Sequence, residues 1–188
     1  MEGLRERKRA HTRAATVDVA LRLFAERGYD HVTVADICAA AEIAPRTFFR
    51  YFPTKDDVLA EPSRDMAERM AALVAAAPAE LDDAEVLRGA LRKLGEYVLT
   101  ERVRLATFLR VAGEVSNLRQ TPLMRLADSE RRLVEQLLRR RPAPASPDWR
   151  TRLLVARSVA AFRVWLDDLA AGAQPDPLAH LDEILAAA

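Results

Sequence analysis

The chain of 188 residues is poor in the residues on which several classes of protein depend. Its single cysteine, Cys38, excludes a disulfide framework within the chain, and three histidines leave little for metal or nucleophilic chemistry. No stretch of about 18 apolar residues occurs, so the sequence predicts no transmembrane helix. The charged N-terminus lacks an apolar signal region, and we therefore expect a cytoplasmic location.

Motifs of the common enzyme classes are missing as well. The sequence contains no GxSxG, no phosphate-binding glycine loop and no HExxH motif. Carboxylate pairs occur at residues 56–57, 82–83 and 167–168, but neighbouring residues of a helix do not face each other. The sequence therefore predicts that the protein is not an enzyme and carries neither a cofactor nor a metal.

The residues that are abundant favour helices. Half of the chain is hydrophobic, glycine is scarce, and no period-two pattern of strands is visible. Residues 1–9 are interpreted as a basic, partly disordered arm. A helix to Arg27 follows, in which Ala15, Val19 and Leu23 recur at helical spacing with Leu21 and Phe24 on the flank. Later helices are predicted at 55–77 (kinked by Pro62), 83–99, 102–116, 121–140, 148–172 and 177–187. The predicted fold class is all-α.

Charge is divided unevenly along the chain, although the formal net charge is only +1. Residues 1–55 hold 10 Lys and Arg against 7 Asp and Glu, whereas residues 56–188 hold 19 against 21. A mildly basic first part is typical of a protein that presents one end to phosphates. The bias is small and decides nothing alone.

The segment from residue 33 to residue 55, TVADICAAAEIAPRTFFRYFPTK, carries the strongest local signals. Gly28 ends the preceding helix, and Thr33 with Asp36 forms a capping box for the next one. Pro45 occupies the first position of a further short helix, which ends by Phe52 because Pro53 disfavours helix in the residue before it. Two short helices joined by a tight turn predict a helix-turn-helix that binds DNA.

This segment resembles the N-terminal domain of TetR-type, tetracycline-repressor-like transcriptional regulators. The resemblance rests on Thr33, Ile37 and Ala41 at their spacing, followed by the phrase PRTFFRYFPTKDDVL, and covers about residues 10–60. Glu42 occupies a turn position at which that family often has glycine and where a left-handed backbone is expected. The end of the chain is similar to regulators grouped with the mycofactocin regulator, among which acyl-CoA-like effectors occur.

The resemblance implies a three-helix, helix-turn-helix DNA-binding head at residues 1–55. It further implies a larger helical body at residues 56–188 that binds a small-molecule effector and forms a homodimer through its last two helices. The family places DNA contacts on residues whose side chains suit phosphates or base edges. The expected DNA-binding residues are Thr33, Pro45, Arg46, Thr47, Phe49, Arg50, Tyr51 and Lys55.

Several roles within the head stay open at this stage. Arg46 and Arg50 are candidates for the recognition of guanine, and Arg50 could instead contact a phosphate or be a solvated surface charge. The basic residues Arg5, Arg7, Lys8, Arg9 and Arg13 could reach the minor groove or a phosphate, or could serve only as a solubilising tail. Phe48 and Phe52 lie four residues apart and are assigned to the core of the head.

The body carries weaker signals. Residues 153–169 are apolar around most of a helix, and the small residues Ala156, Ala160 and Ala161 would allow close approach of a second copy. Arg104, Arg110 and Arg163 lie among apolar residues and could meet an anionic effector or solvent. Candidates for the lining of an apolar effector cavity, each of which could also be simple core, are Tyr97, Phe108, Met124, Phe162 and Trp165.

The sequence therefore predicts a ligand-responsive DNA-binding transcriptional regulator. In this interpretation a dimeric repressor binds a palindromic operator and is released by a small molecule, apolar or acyl-CoA-like. The alternative is an all-α binding protein for a small molecule or acyl group without a DNA function. Such a protein would not need Arg46, Thr47, Arg50 and Tyr51 exposed together.

Overall fold

The computed structural model describes residues 2–115, 121–141, 148–172 and 174–188 of the chain. Every regular element within these residues is helical, which confirms the all-α prediction. The helices of the described residues are α1 (Glu2–Arg27), α2 (Val34–Ala40), α3 (Pro45–Tyr51), α4 (Lys55–Leu59), α5 (Glu61–Ala75), α6 (Asp83–Thr100), α7 (Arg102–Glu114), α8 (Thr121–Arg139), α9 (Trp149–Ala171) and α10 (Pro177–Ala187). A 3₁₀ turn, Tyr29–His31, joins α1 to α2.

The prediction of a disordered N-terminal arm was wrong, because α1 begins at Glu2. Residues 2–10 contain no proline and are mostly Glu, Arg, Lys and Ala, which propagate a helix well. The buried face of α1 agrees with the prediction at Leu21, Leu23 and Phe24, all of which are almost fully buried. Ala15 is exposed, however, whereas Val17, which was not predicted, is fully buried.

The predicted helix at residues 55–77 is divided into α4 and α5. The division falls at Ala60, and Pro62 becomes the second residue of α5 instead of a kink within one helix. The N–H groups of a helix's first turn have no partner within the helix, so a proline there removes no hydrogen bond. The bounds of α6 to α10 agree with the prediction to within two residues.

The chain forms two compact units. The first contains α1 to α4, the beginning of α5, and α7, which packs along α1. Arg104 of α7 forms an ion pair of 2.8 Å with Asp18 of α1, and Arg13 of α1 forms another of 2.8 Å with Glu61. The functional boundary at residue 55 stays a prediction, since these units group elements by packing alone.

The second unit contains the rest of α5 with α6, α8, α9 and α10. Trp165 of α9 is fully buried, and its indole N–H donates to the carbonyl of Pro177 at 2.7 Å. Helix α10 packs on both α9 and α6, with Leu181 fully buried. Arg140 donates to the carbonyls of Val74, Ala77 and Pro78 and so satisfies the C-terminal end of α5.

Candidate nucleic-acid interface

Helix α2 begins with a complete capping box, as the sequence predicted. The hydroxyl of Thr33 accepts from the backbone N–H of Asp36 at 3.2 Å, and the Asp36 carboxylate accepts from the Thr33 N–H at 2.8 Å. The Thr33 hydroxyl also donates to the same carboxylate at 2.5 Å. This hydrogen bond, together with that from the Thr33 N–H, favours the ionised carboxylate and lowers the pKa of Asp36. The hydroxyl is exposed but already bonded, so a phosphate contact there would require an exchange of partners.

The turn between α2 and α3 is closed by backbone hydrogen bonds. The N–H of Ile43 donates to the Cys38 carbonyl at 3.0 Å, and the N–H of Glu42 donates to Ala39 at 3.3 Å. Glu42 has a φ of 53°, which places a non-glycine residue in the left-handed region, as the resemblance implied. Cys38 is buried beneath this turn, and burial raises the pKa of its thiol, as expected of a core residue.

Helix α3 is fixed from its inner side. Pro45 is its first residue, and Phe48 and Phe52 are fully buried with ring centroids 5.6 Å apart. A seven-residue helix is unstable by itself in water, so these two aromatic side chains hold it in place. Their predicted assignment to the core is thereby confirmed.

The outer side of α3 carries the predicted contact residues. Arg46 and Arg50 are exposed, and Phe49 has 54 % of its surface exposed although it is fully apolar. Neither arginine has a carboxylate within ion-pair distance among the described residues. Arg50 instead donates to the Tyr51 hydroxyl at 3.1 Å, and its guanidinium lies 4.9 Å from the centre of that ring. The structure therefore brings Arg46, Thr47, Phe49, Arg50 and Tyr51 to one exposed helix.

Lys55 is used differently from the sequence interpretation. It is the first residue of α4, and its ammonium donates to the carbonyls of Tyr29 at 2.8 Å and Val32 at 3.0 Å. The ammonium also lies 4.0 Å from the centre of the Tyr29 ring. Two of its three donors thus tie the start of α4 to the loop before α2, which leaves one for a phosphate.

Tyr29 is a residue of this region that the sequence interpretation missed. Its hydroxyl donates to the carboxylate of Asp56, the residue after Lys55. Burial, reinforced by this hydrogen bond, raises the pKa of Tyr29. Its position directly after Gly28 gave no signal for the role, because both partners lie in a helix more than twenty residues later.

The residues predicted to line an effector cavity belong to both units, and the cavity itself stays a prediction. Phe162 and Trp165 are buried in the second unit with ring centroids 5.2 Å apart. Phe108 is buried in the first unit, and the side chain of Met124 lies outside the described residues.

Tyr97, the remaining cavity candidate, belongs to a polar cluster. Its hydroxyl donates to Asp65 at 2.6 Å, and the guanidinium of Arg69 lies 3.9 Å from the centre of its ring. Burial and the hydrogen bond to Asp65 raise the pKa of Tyr97. Three arginines could meet an anionic effector according to the sequence. Arg104 pairs with Asp18, Arg110 lies 3.9 Å from Glu114, and Arg163 is exposed.

Comparison with known proteins gives the same assignment as the helix-turn-helix geometry. The family model for bacterial regulatory proteins of the tetR family matches residues 17–61. The HTH-type transcriptional regulator TcmR of Streptomyces glaucescens is 32 % identical over 168 residues, which cover 86 % of this chain and 74 % of TcmR. The chain belongs to the tetR family. This tetR-family protein is therefore a ligand-responsive DNA-binding transcriptional regulator.

A second relative confirms the similarity noted at the end of the chain. MftR of Mycobacterium tuberculosis, named as a transcriptional regulator of mycofactocin biosynthesis, is 28 % identical to the tetR-family chain over 169 residues. These residues cover 86 % of this chain and 83 % of MftR. No helix in the described part of the tetR-family chain is long and apolar enough to cross a membrane.

Solved structures agree with the fold of the whole chain. A tetR-family regulator from Syntrophomonas wolfei superposes with a TM-score of 0.67 at 21 % identity, covering 94 % of this chain and 92 % of that one. FadR of Bacillus subtilis, solved with stearoyl-CoA, gives 0.58 at 18 % identity and covers 92 % of this chain and 95 % of its own. At these identities the likeness establishes the all-α architecture.

Proposed function

We propose that this tetR-family regulator is a homodimeric repressor that places α3 of each protomer in a major groove of a palindromic operator. The observation that carries the proposal is the two-sided construction of α3. Its inner face is anchored by the fully buried Phe48 and Phe52, and its outer face presents Arg46, Phe49 and Arg50 to solvent. An anchored helix with exposed hydrogen-bonding side chains is what direct readout requires.

Arg46 and Phe49 are proposed as the residues that read base pairs. Arg46 lies in the first turn of α3 without a described acidic partner, so its guanidinium is free to bind O6 and N7 of guanine. Phe49 has no hydroxyl, and its exposed ring suits contact with a thymine methyl group. Helix α3 also begins at Pro45, whose ring is exposed for packing on the DNA backbone.

The remaining predicted residues are proposed to position the head on phosphates. Thr47 and Tyr51 have hydroxyl groups for this purpose, and Arg50 adds a charge. Thr33 acts first as the cap of α2, and Lys55 acts first as the tie to Tyr29 and Val32. Both lie at helix starts, where partial positive charge favours a phosphate nearby.

Helix α9 provides the proposed dimer face. Trp149 is 58 % exposed, Leu153 48 % and Val164 46 %, and Ala160 is exposed between them. These positions recur at helical spacing along one side of α9, so they form an apolar stripe that an isolated protomer leaves in water. In α10, by contrast, Leu181 and Leu185 are buried within the protomer. The contribution of α10 to the dimer would therefore be smaller than the sequence suggested.

The effector is proposed to be an apolar or acyl-CoA-like molecule. Support comes from the stearoyl-CoA in the similar FadR structure and from the relationship with MftR. In this proposal the dimer has two states, one whose heads fit the operator and one whose heads fit it badly. The effector would release the operator only if it bound the second state more tightly than the first. Thermal stabilisation of the protein by stearoyl-CoA, compared with CoA alone, would test this class of ligand.

The DNA proposal is tested by selection followed by substitution. Duplexes enriched from a random library by the purified protein should converge on two inverted half-sites. Fluorescence anisotropy with the enriched duplex should then show that Arg46→Ala weakens binding by about 5- to 150-fold for each half-site and relaxes the preference at one position per half-site. Arg88→Ala, which removes an exposed arginine from α6, is the matched control and should bind as the wild type does.

Failure to enrich any sequence would contradict operator recognition and favour the alternative of a binding protein without a DNA function. An unchanged preference in Arg46→Ala would leave DNA binding intact but remove Arg46 from base readout.

A further inference from the structure

A concave groove lies between the N-terminal part of α1 and the outer side of α3. Its volume is about 230 Å³, and both helices belong to the first compact unit. Lys8, Arg9 and Thr12 line it from α1, and Thr47, Arg50 and Tyr51 line it from α3. The groove exists only because α1 is helical from Glu2, which places Lys8 and Arg9 beside α3.

The charge of this groove is one-sided. Its lining holds three cationic side chains and three hydroxyl groups and no carboxylate. None of the three cations has an acidic partner among the described side chains, whereas Arg13 and Arg64 of the same unit are both paired with carboxylates. A protein with a formal net charge of +1 thus concentrates unpaired cations at one place in its head. Such a concentration favours an anion.

We propose that this groove clamps one backbone phosphate of the operator between α1 and α3. The proposal rests on the proposed function, since it assumes that α3 docks on DNA. A phosphodiester offers one negative charge and several acceptor oxygens, which match the charged and hydroxyl donors of the lining. Helix α3 would then have two working faces, with Arg46 and Phe49 outside the groove on the bases and Thr47, Arg50 and Tyr51 on the backbone.

The clamp assigns a fixed role to the N-terminal residues. A minor-groove arm must extend along the DNA, whereas Lys8 and Arg9 are held in a continuous helix whose Thr12 hydroxyl donates to the Lys8 carbonyl at 2.9 Å. Cations on a helical backbone lose less conformational entropy when they meet a phosphate than cations on a disordered arm. Their contribution should therefore be independent of the operator sequence and should set the register of α3.

The test compares two double variants that remove the same charges. Lys8→Ala with Arg9→Ala empties the α1 side of the groove, and alanine preserves the helix. Arg88→Ala with Lys93→Ala removes one arginine and one lysine from exposed positions of α6. Binding of an enriched duplex and of a scrambled duplex is measured by anisotropy across a range of salt concentrations.

We expect the groove variant to weaken binding to both duplexes by a similar factor. Loss of one phosphate contact in each of the dimer's two grooves should make the slope of log K against log salt less steep by about 1.8. The ratio of wild-type affinity to variant affinity should therefore fall about 12-fold when salt rises from about 50 to about 200 mM. The α6 variant should keep the wild-type slope, and a wild-type slope in the groove variant would overturn the clamp.

A second measurement locates the phosphate. Single neutral methylphosphonates are placed at each backbone position of one half-site in turn. At one position the replacement should weaken the wild type clearly more than the groove variant, because the variant already lacks the α1 side of the contact. Additive losses at every position would overturn the clamp. If the wild type binds neither duplex with a salt dependence, the proposed function fails instead, so the two failures are distinguishable.

Discussion

Gly95→Ala should destabilise the protein even though alanine is the better helix former. Gly95 lies within α6, and a Cβ atom at this position would be 2.6 Å from Cδ2 of Leu181. It would also lie 3.5 Å from Leu178 and from the ring of Trp165. Leu181 and Trp165 are fully buried, so neither can turn into solvent to make room. The glycine therefore permits the close approach of α10 and α9 to α6.

The magnitude follows from two opposed effects. Overpacking a buried site costs about 1–3 kcal/mol, and exchange of glycine for alanine inside a helix contributes about 1 kcal/mol in the other direction. The net expectation is a loss of about 1 kcal/mol in the free energy of unfolding. Gly89→Ala is the matched control, because Gly89 lies on the same helix and its Cβ would meet nothing within 4 Å. It should stabilise the protein by about 1 kcal/mol.

Chemical denaturation at one fixed protein concentration measures both variants, since the stability of a dimer depends on concentration. The two should differ by about 1–3 kcal/mol, and thermal melting should shift in the same order by about 2–4 °C for each kcal/mol. If Gly95→Ala gains as much stability as Gly89→Ala, the tight contact of α6 with Leu181 does not exist in solution. The described packing of the second unit would then be wrong.

Two further substitutions test the turn and the dimer. Glu42→Gly should raise the free energy of unfolding by about 0.5–1 kcal/mol in chemical denaturation. Glycine removes the strain of the φ of 53°, but its larger conformational entropy in the unfolded state offsets part of this gain. Glu42→Ala, which keeps the strain, should bring no such gain. Leu153→Asp places a charge in the apolar stripe of α9, so light scattering should show a monomer instead of the dimer. Val103→Asp, at an 83 % exposed position of α7, is the control and should leave the dimer intact. A gain in Glu42→Ala equal to that in Glu42→Gly, or an intact dimer in Leu153→Asp, would contradict the corresponding argument.

The local features of the head could be predicted because they depend on neighbours in sequence. The capping box at Thr33, the stop at Gly28 and the start at Pro45 all involve residues within a few positions of each other. The spacing of Phe48 and Phe52 likewise defines a buried face directly. Elements of this kind follow from the chain without knowledge of the fold.

The features that could not be predicted depend on partners far along the chain. The hydrogen bonds of Lys55 are one case, since its acceptors belong to residues 29 and 32. On α1, Leu21, Leu23 and Phe24 were placed correctly, but the burial of Val17 instead of Ala15 depends on the several helices that α1 meets. The hydrogen bond of Tyr97 was likewise not visible in the sequence, because Asp65 lies on a different helix.

Within the first unit, the partner of each arginine shows whether packing uses its charge. Arg13 and Arg64 are held by carboxylates and stabilise this unit. Arg46 and Arg50 of α3 have no such partner among the described residues, although they belong to the same unit. Packing therefore does not use these two charges, and they are available to a negative partner. Because pairing depends on the tertiary arrangement, composition and net charge alone could not have located this interface.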